Sequence, residues 1–422
     1  MPDACAGPDD GHGVDRGRCR SRVHRWCFRS PGRCRPTAWQ LRVGGPPVKT
    51  RPLDGSGDQR QTDAASAAEF GDARVEGAAG GVATGVPVSS YNEWDPLEEV
   101  IVGTAIGSAI PRESEQMICS TMPAQWQEMF LSKGGTPFPG EVVDAAQAEL
   151  DQLAQVLRDM GVRTRRPEAL DWSRRGGFTS AMPRDCLLVV GASIIEAPMA
   201  WRSRQGETAA YRSILAEYAD GGAVWVSAPR AEPWELEPGT GPWAINEAAP
   251  AFDAADFVRV GRDIVGQLSH VTNRAGVRWL RSYLGSDYTV TVLDVDDPHA
   301  MHIDATVLPL RPGLALVNPE RISAGTLEES PFARWDKLVM DEPRPPGPVP
   351  RYMTSGWIAM NVLSVSPECV IVDACDTDLA RRLHAHGLEV VPIPFQHVNA
   401  IGGSFHCATV DIRRRGSRES YR

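Results

Sequence analysis

Apolar residues in this chain come in short runs broken by turns, and the same unit recurs. Leu187 to Val190 is followed by Gly191-Ala192 and Ile194-Ile195; Phe257 to Val260 by Gly261-Arg262 and Ile264-Val265. Val307 to Leu310 is followed by Arg311-Pro312-Gly313 and Leu314 to Val317; Val362 to Val365 by Ser366-Pro367-Glu368 and Val370 to Val372. Turn residues between short β-prone runs predict four hairpins. A helical spacing then recurs at Val143, Ala146, Leu150, Leu153, Leu157 and Met160, at Tyr211, Ile214, Leu215 and Tyr218, and at Leu379 and Leu383. After each helix comes a glycine (Gly161, Gly222, Gly387) and a strand that ends at a proline (Pro167, Pro229, Pro392). A fifth hairpin can be assembled only by pairing the opening strand, Val100 to Gly103, with the closing one, Ala408 to Ile412. That pairing would close a ring. The predicted architecture is an α/β domain of five ββαβ modules about an axis, with strand ends and loops lining a central cavity. An open α/β sheet is the alternative.

The pattern begins at Val86-Pro87-Val88. Residues 1–86 lack sustained periodicity and are dense in Gly, Arg, Asp and Ala, so they are expected to be a disordered extension ahead of a domain spanning 87–422. Their acid-free stretch from Arg16 to Leu53 has a transit-peptide composition, but Asp3, Asp9, Asp10 and Asp15 precede it, and a start codon assigned too far upstream is an equal reading. With 422 residues, 42% of them hydrophobic, the chain can bury a large core. A net charge of −10 disfavours a nucleic-acid or anionic-membrane surface and suits clefts that receive cations. Its basic residues are nearly all arginine, with lysine only at 49, 133 and 337, a skew read as codon bias. No apolar run approaches the roughly 18 residues of a membrane span. Nine cysteines without a CxxC pair fit neither a zinc ribbon nor a secreted disulfide framework, so a reducing, cytoplasmic setting is expected.

Candidate chemistry gathers in three stretches. Cys407 follows Gly402-Gly403 and precedes an alternating run, which reads as a close backbone approach delivering a thiol onto a strand. His302 and Asp304 lie in Met301 to Thr306, and Asp253 and Asp256 in Phe252 to Phe257. A thiol, an imidazole and several carboxylates are the parts of covalent catalysis on a cationic substrate. Each residue also has a plain structural reading: a small buried thiol, a satisfied histidine, a capping carboxylate. His406 adjoins the thiol, but neighbours on a strand point to opposite faces. Pro343 to Pro350 reads as a stiff surface loop and Arg413-Arg414-Arg415 as a solvated end.

Ser89 to Gly103, Ala181 to Asp185, Glu196 to Arg204, Phe252 to Phe257, Met301 to Asp304 and Phe405 to Cys407 together resemble the amidinotransferases, over about residue 87 to the C-terminus. The likeness is to the arginine:glycine and arginine:inosamine-phosphate group. It implies a five-module α/β propeller, an amidinotransferase catalytic domain over 87–422, and transfer of arginine's amidino group to an amine acceptor, glycine or an amino sugar or another amino acid, with ornithine released. It further implies Cys407 as nucleophile, His302 as general acid/base and Asp253 as its partner, with Asp185, Asp304, Arg321 and Ser355 contacting substrate, and no metal or organic cofactor. The partners expected are small molecules, with a homodimer as an open assembly state. Three positions depart from the family pattern: the segment Asp171 to Pro183 is short, Ser404 replaces a glycine, and His299 stands where glycine-specific members tend to carry a polar amide. A hydrolase yielding citrulline and a non-catalytic arginine-binding module are the competing functions. Asp185, Asp304 and Asp253 around Cys407 are expected to raise the resting thiol's pKa, and an entering guanidinium to lower it.

Because residues 1–86 carry too little patterned apolar sequence to join a core, deleting residues 1–85 is predicted to leave activity and melting temperature nearly unchanged. Thermal denaturation and turnover of the truncated protein check this; a loss of several degrees or of most activity would show that the extension is structural.

Overall fold

A computed structural model describes residues 87–340 and 342–422; the expectation for residues 1–86 lies outside the described residues. The strands are β1 (Leu97–Val102), β2 (Arg163–Arg165), β3 (Leu187–Val190), β4 (Ser193–Glu196), β5 (Val224–Ser227), β6 (Phe257–Val260), β7 (Asp263–Gln267), β8 (Thr289–Leu293), β9 (Val307–Arg311), β10 (Leu314–Val317), β11 (Asp336–Val339), β12 (Leu363–Ser366), β13 (Cys369–Asp373), β14 (Glu389–Ile393) and β15 (Thr409–Arg414). They form five three-stranded sheets, β15-β1-β2, β3-β4-β5, β6-β7-β8, β9-β10-β11 and β12-β13-β14. In every sheet the middle strand is antiparallel to one neighbour and parallel to the other. The expected closing pair is present, with Val100 opposite Asp411, Ile101 opposite Val410 and Val102 opposite Thr409.

A parallel third strand needs a crossover, and a helix supplies it in each sheet: Gly140–Asp159, Arg212–Asp220, Arg274–Leu284, Ala324–Glu328 and Thr377–Ala385. Two of these crossovers, leading to β8 and β11, escape the apolar pattern because β8 has threonine at alternate positions, β11 opens on Asp336-Lys337, and Ala324–Glu328 is only one turn long. In the longest helix Val142, Ala146, Leu150, Leu153 and Leu157 are buried on one face. Met160, expected on that face, caps the helix end and is 39% exposed, because the chain turns away at Gly161 with φ +85°. Among the described residues no helix is long and apolar enough to cross a membrane, and the five described cysteines are all free.

One further expectation is corrected. Arg414 is fully buried rather than solvated: it donates to Asp411 and to the carbonyls of Asp95 and Ser364, and only Arg415 of that run is exposed. The stretch Pro343 to Pro350 is largely exposed, as expected of a surface loop, and its residues 346–350 also line the cleft that holds Cys407. Proline suits a wall of this kind, since it holds a fixed backbone and brings no N–H to be satisfied.

Beneath the cleft sits a buried charge cluster. Glu93 accepts from Arg184 (3.0 Å) and Arg259 (2.8 and 2.6 Å), and Asp411 accepts from Arg184 (2.7 Å), Arg259 (2.6 Å) and Arg414 (2.7 Å). Burial alone would push both carboxyls up; the surrounding guanidiniums instead hold Glu93 and Asp411 well below the usual carboxylate range.

Candidate active site

Apart from Arg321, which follows β10, the side chains singled out in the sequence come from one recurring place in the fold, the short turn that leads into the outer antiparallel strand of a sheet. Asp185 lies in the single-turn helix Pro183–Cys186 before β3, and Asp253 caps the turn Ala254–Asp256 before β6. His302 and Asp304 flank the start of the turn Ile303–Ala305 before β9. Cys407 lies in the turn that ends at β15, not on the strand itself. The one remaining sheet presents Asn361 from the same position before β12. Asn361 was not read from the sequence, yet this repeated slot is the signal that would have found it.

Local backbone chemistry fixes these turns. Gly402 has φ +120°, and a Cβ on Gly403 would fall 2.4 Å from the Met182 sulfur and 2.7 Å from the Cys407 Cβ, so the glycine pair does permit a close approach. His302 adopts φ 64° and ψ 125°, a conformation L-residues avoid. Strain of this kind persists where surrounding contacts hold it, and here Nε2 of the ring is 3.0 Å from Asp253 Oδ2.

Cys407 Sγ is held between two groups. It donates to Asp304 Oδ2 at 3.3 Å, and Asn361 Nδ2 approaches it at 3.1 Å while Asn361 Oδ1 accepts the Cys407 backbone N–H. Donor atoms of Asp185, His302 and Cys407 lie within 4.8 Å of one another. These three could share a metal ion. Both Asp185 oxygens are buried without a hydrogen bond, although Arg204 Nη1 stands 2.9 Å from Oδ2 and His302 Nδ1 3.9 Å from Oδ1. A buried carboxylate that is ion-paired to Arg204 but accepts no hydrogen bond, close to a thiol and an imidazole, is suited to receive N–H donors.

Asp256, the other candidate partner for His302, is occupied: Gln267, Ser269 and Thr272 donate to it. Arg321 lines the cleft with Nε 2.8 Å from Asp297, and its Nη1 is buried with no partner. Ser355 also lines it and caps the turn Gly356–Met360 by accepting from Trp357 N. The cleft measures about 650 Å³ and its walls include His299, Met301, Arg351 and Trp126. His299 Nδ1 donates to the Ser120 carbonyl at 3.0 Å, spanning two of those walls. His406, expected to face away from the site, is in the turn rather than on a strand and reaches Asp304 Oδ2 at 2.9 Å. Arg204, also not anticipated, forms a bidentate pair with Glu207 and lies 3.6 Å from Asp253.

Electrostatics divides the site into a protonated acid and a protonated thiol. Burial works against charge on His302, but Asp185 and then hydrogen-bonded Asp253 outweigh it and push its pKa up to about 10. Burial, followed by the charges of Asp304 and Asp185, pushes the Cys407 thiol well up, with Asn361 pulling modestly the other way. For Asp304, burial is outweighed by the hydrogen bond and charge of His406 and by His302, and the carboxyl lies below its ordinary value. Asp185 is raised, chiefly by burial.

No protein-family model matches the chain. Individual proteins do. The L-arginine:L-lysine amidinotransferase of Pseudomonas savastanoi pv. phaseolicola is 46% identical over 357 residues, covering 79% of this chain and 96% of that protein. The mitochondrial glycine amidinotransferase of Xenopus tropicalis is 41% identical over 359 residues, covering 79% and 85%. Among solved structures, the inosamine-phosphate amidinotransferase of Streptomyces griseus superposes with a TM-score of 0.73 at 37% identity, covering 79% of this chain and 99% of that one.

A raised thiol pKa means little thiolate at neutral pH in the empty site. Alkylation of Cys407 by a small neutral reagent is predicted to titrate above the unperturbed value of about 8.5. Replacing Asp304 by Asn should move that titration down, since it removes both a negative charge and the acceptor of the S–H. Alkylation rates between neutral and alkaline pH, read by peptide mass spectrometry, check this; an apparent pKa well below the unperturbed one would show that the His302 cation dominates.

Proposed function

This chain belongs to the amidinotransferase family and transfers the amidino group of arginine, and on that premise we propose how its residues carry out the transfer. The carrying observation is the convergence of Cys407, His302 and an Asp185 carboxylate that accepts no hydrogen bond. Asp185 and Asp304 bind the N–H edges of the guanidinium, and its positive charge offsets the field that keeps Cys407 protonated. The thiol then releases its proton to solvent and the thiolate adds to the central carbon. The bond from that carbon to the ornithine nitrogen breaks as His302 passes its proton to that nitrogen, leaving a cationic amidino group on sulfur. Asp253 holds the ring through Nε2, so Nδ1 is the nitrogen turned toward Asp185. The neutral imidazole next takes a proton from the acceptor amine, whose nitrogen attacks the same carbon as the C–S bond breaks.

Arg321, with its free Nη1, and Ser355 are suited to the carboxylate and amine at the other end of arginine. The acceptor is an amine carried by an amino acid or an amino sugar. A cleft of about 650 Å³ lined by Arg321 and Arg351 favours an acceptor longer than glycine with a carboxylate of its own, in keeping with the L-lysine acceptor named for one relative.

The proposal extends to the framework. A five-module propeller over residues 87–422 is supported by side-chain bonds that run from each sheet to the next: Arg414 to the Ser364 carbonyl, Ser364 to the Leu310 carbonyl, Thr306 to Gln267, Arg259 to the Val189 carbonyl, and Arg184 to Asp411. A cytoplasmic enzyme, alone or as a homodimer, suits the free cysteines.

Incubation with arginine and a panel of amines is expected to yield ornithine and a guanidino compound. Cys407→Ala should lower that rate by at least about a thousandfold while shifting the melting temperature by only a few degrees, because a thiol-to-methyl change leaves little cavity. Citrulline as the main product, or residual turnover in the alanine variant, would overturn this mechanism.

A further inference from the structure

His406 is 2% exposed, and neither ring nitrogen is idle. Nδ1 is 2.9 Å from Asp304 Oδ2 and Nε2 is 3.2 Å from Glu93 Oε2. Only the doubly protonated ring can donate to a carboxylate on each side. Glu93 is itself clamped by Arg184 and Arg259, and Arg184 Nε also donates to the His406 carbonyl at 2.7 Å, so both the ring and the backbone of His406 are tied to the buried charge cluster. The histidine makes no hydrogen bond to the sulfur of its neighbour, whose partners are Asp304 and Asn361. What it holds is the carboxylate oxygen that accepts the Cys407 S–H. Among the described residues no donor reaches Asp304 Oδ1, although Asp304 lines the cleft.

We propose that His406 is a positioning residue for arginine: it fixes the Asp304 carboxylate by one oxygen, leaving the other to receive the guanidinium, and transmits to the site the rigidity of the Glu93 cluster. This rests on the reading that Asp304 contacts the guanidinium. A carboxylate bound by one charge-assisted hydrogen bond on a fixed donor presents its second oxygen in a defined plane, as a planar N–H fork requires. The charged or titratable groups facing Asp304 are His406, His302, Cys407, Arg321 and Asp185. Of these His406 and Cys407 alone hydrogen-bond to it.

Two amide substitutions separate the ring's two bonds. Asn places its amide nitrogen near the Nδ1 position and can still donate to Asp304; Gln reaches the Nε2 position and Glu93 instead. His406→Gln is expected to raise the KM for arginine about tenfold to a hundredfold, the worth of one hydrogen bond to a charged group, with kcat changed much less. His406→Asn should keep KM within about threefold of the wild type, yet its neutral donor leaves the Asp304 carboxyl less acidic, so the acid limb of kcat/KM for arginine should move up in both variants, by about a pH unit. Equal KM effects from the two amides, or an unmoved acid limb, would overturn the proposal in favour of a purely structural histidine. A measurement that needs no His406 variant stands beside them: in Cys407→Ala, nitrogen NMR of the His406 ring should shift when arginine binds, and an unchanged Nδ1–H resonance in arginine-saturated protein would also overturn it. Failure of the wild type to make any guanidino product would instead defeat the functional reading on which this one stands.

Discussion

Burying several charges beneath a cleft is tolerable only if each finds a partner, and that constraint organises this molecule. Glu93 and Asp411 are each shared by Arg184 and Arg259, with Arg414 closing the set, and all five side chains lie in the interior. Leaving one such charge unpaired costs about 3–5 kcal/mol, so the cluster constrains the relative placement of every backbone that contributes to it. Those backbones are the opening segment around Glu93, the turn before β3, β6 and the closing strand β15. The antiparallel pairing of β1 with β15 has the same consequence by another route, because it ties residues near both ends of the described chain into one sheet.

The site built on this base is electrically unbalanced in the direction its chemistry needs. Burial, reinforced by the Asp304 and Asp185 carboxylates, keeps the Cys407 thiol protonated, while Asp185 and Asp253 keep His302 charged. In the proposed mechanism a bound guanidinium would restore the balance, so that the Cys407 thiolate would form where its electrophile sits, with His302 already charged to act as the acid. Arg204 limits the imbalance from behind: it neutralises part of Asp185 and, with Glu207, is itself buried. Burial pushes Glu207 up to about 8, so the strength of that restraint changes with pH around that value.

Much of this was legible in the chain, and what was not shares a physical cause. Hairpins announce themselves because their turns need glycine or proline at set places, and the first strand could be matched with the last because no other partner was left for either. Cys407 stood out through Gly402-Gly403, His302, Asp304 and Asp253 as an imidazole and carboxylates in two short stretches whose roles came from a family resemblance, and Asp185 through that resemblance alone. Relations created only by folding were invisible: Asn361 meets Cys407 across 46 residues, His406 meets Asp304 across 102, and Arg184 meets the His406 carbonyl across 222. The rule that strand neighbours face opposite ways placed His406 wrongly, because the residue is in a turn. Arg414 was misjudged for a related reason, since a run of three arginines looks solvated until an alternating strand buries the middle one.

The central claim is that Cys407 carries the amidino group between two substrates, and an isotopic chase tests it most directly. Enzyme mixed with arginine labelled at the guanidinium carbon, without acceptor, should hold the label on the peptide containing Cys407. Adding an amine should then release it as a labelled guanidino compound at a rate no slower than turnover. Label found on another residue, or on Cys407 but not discharged by any amine that supports turnover, would contradict the account.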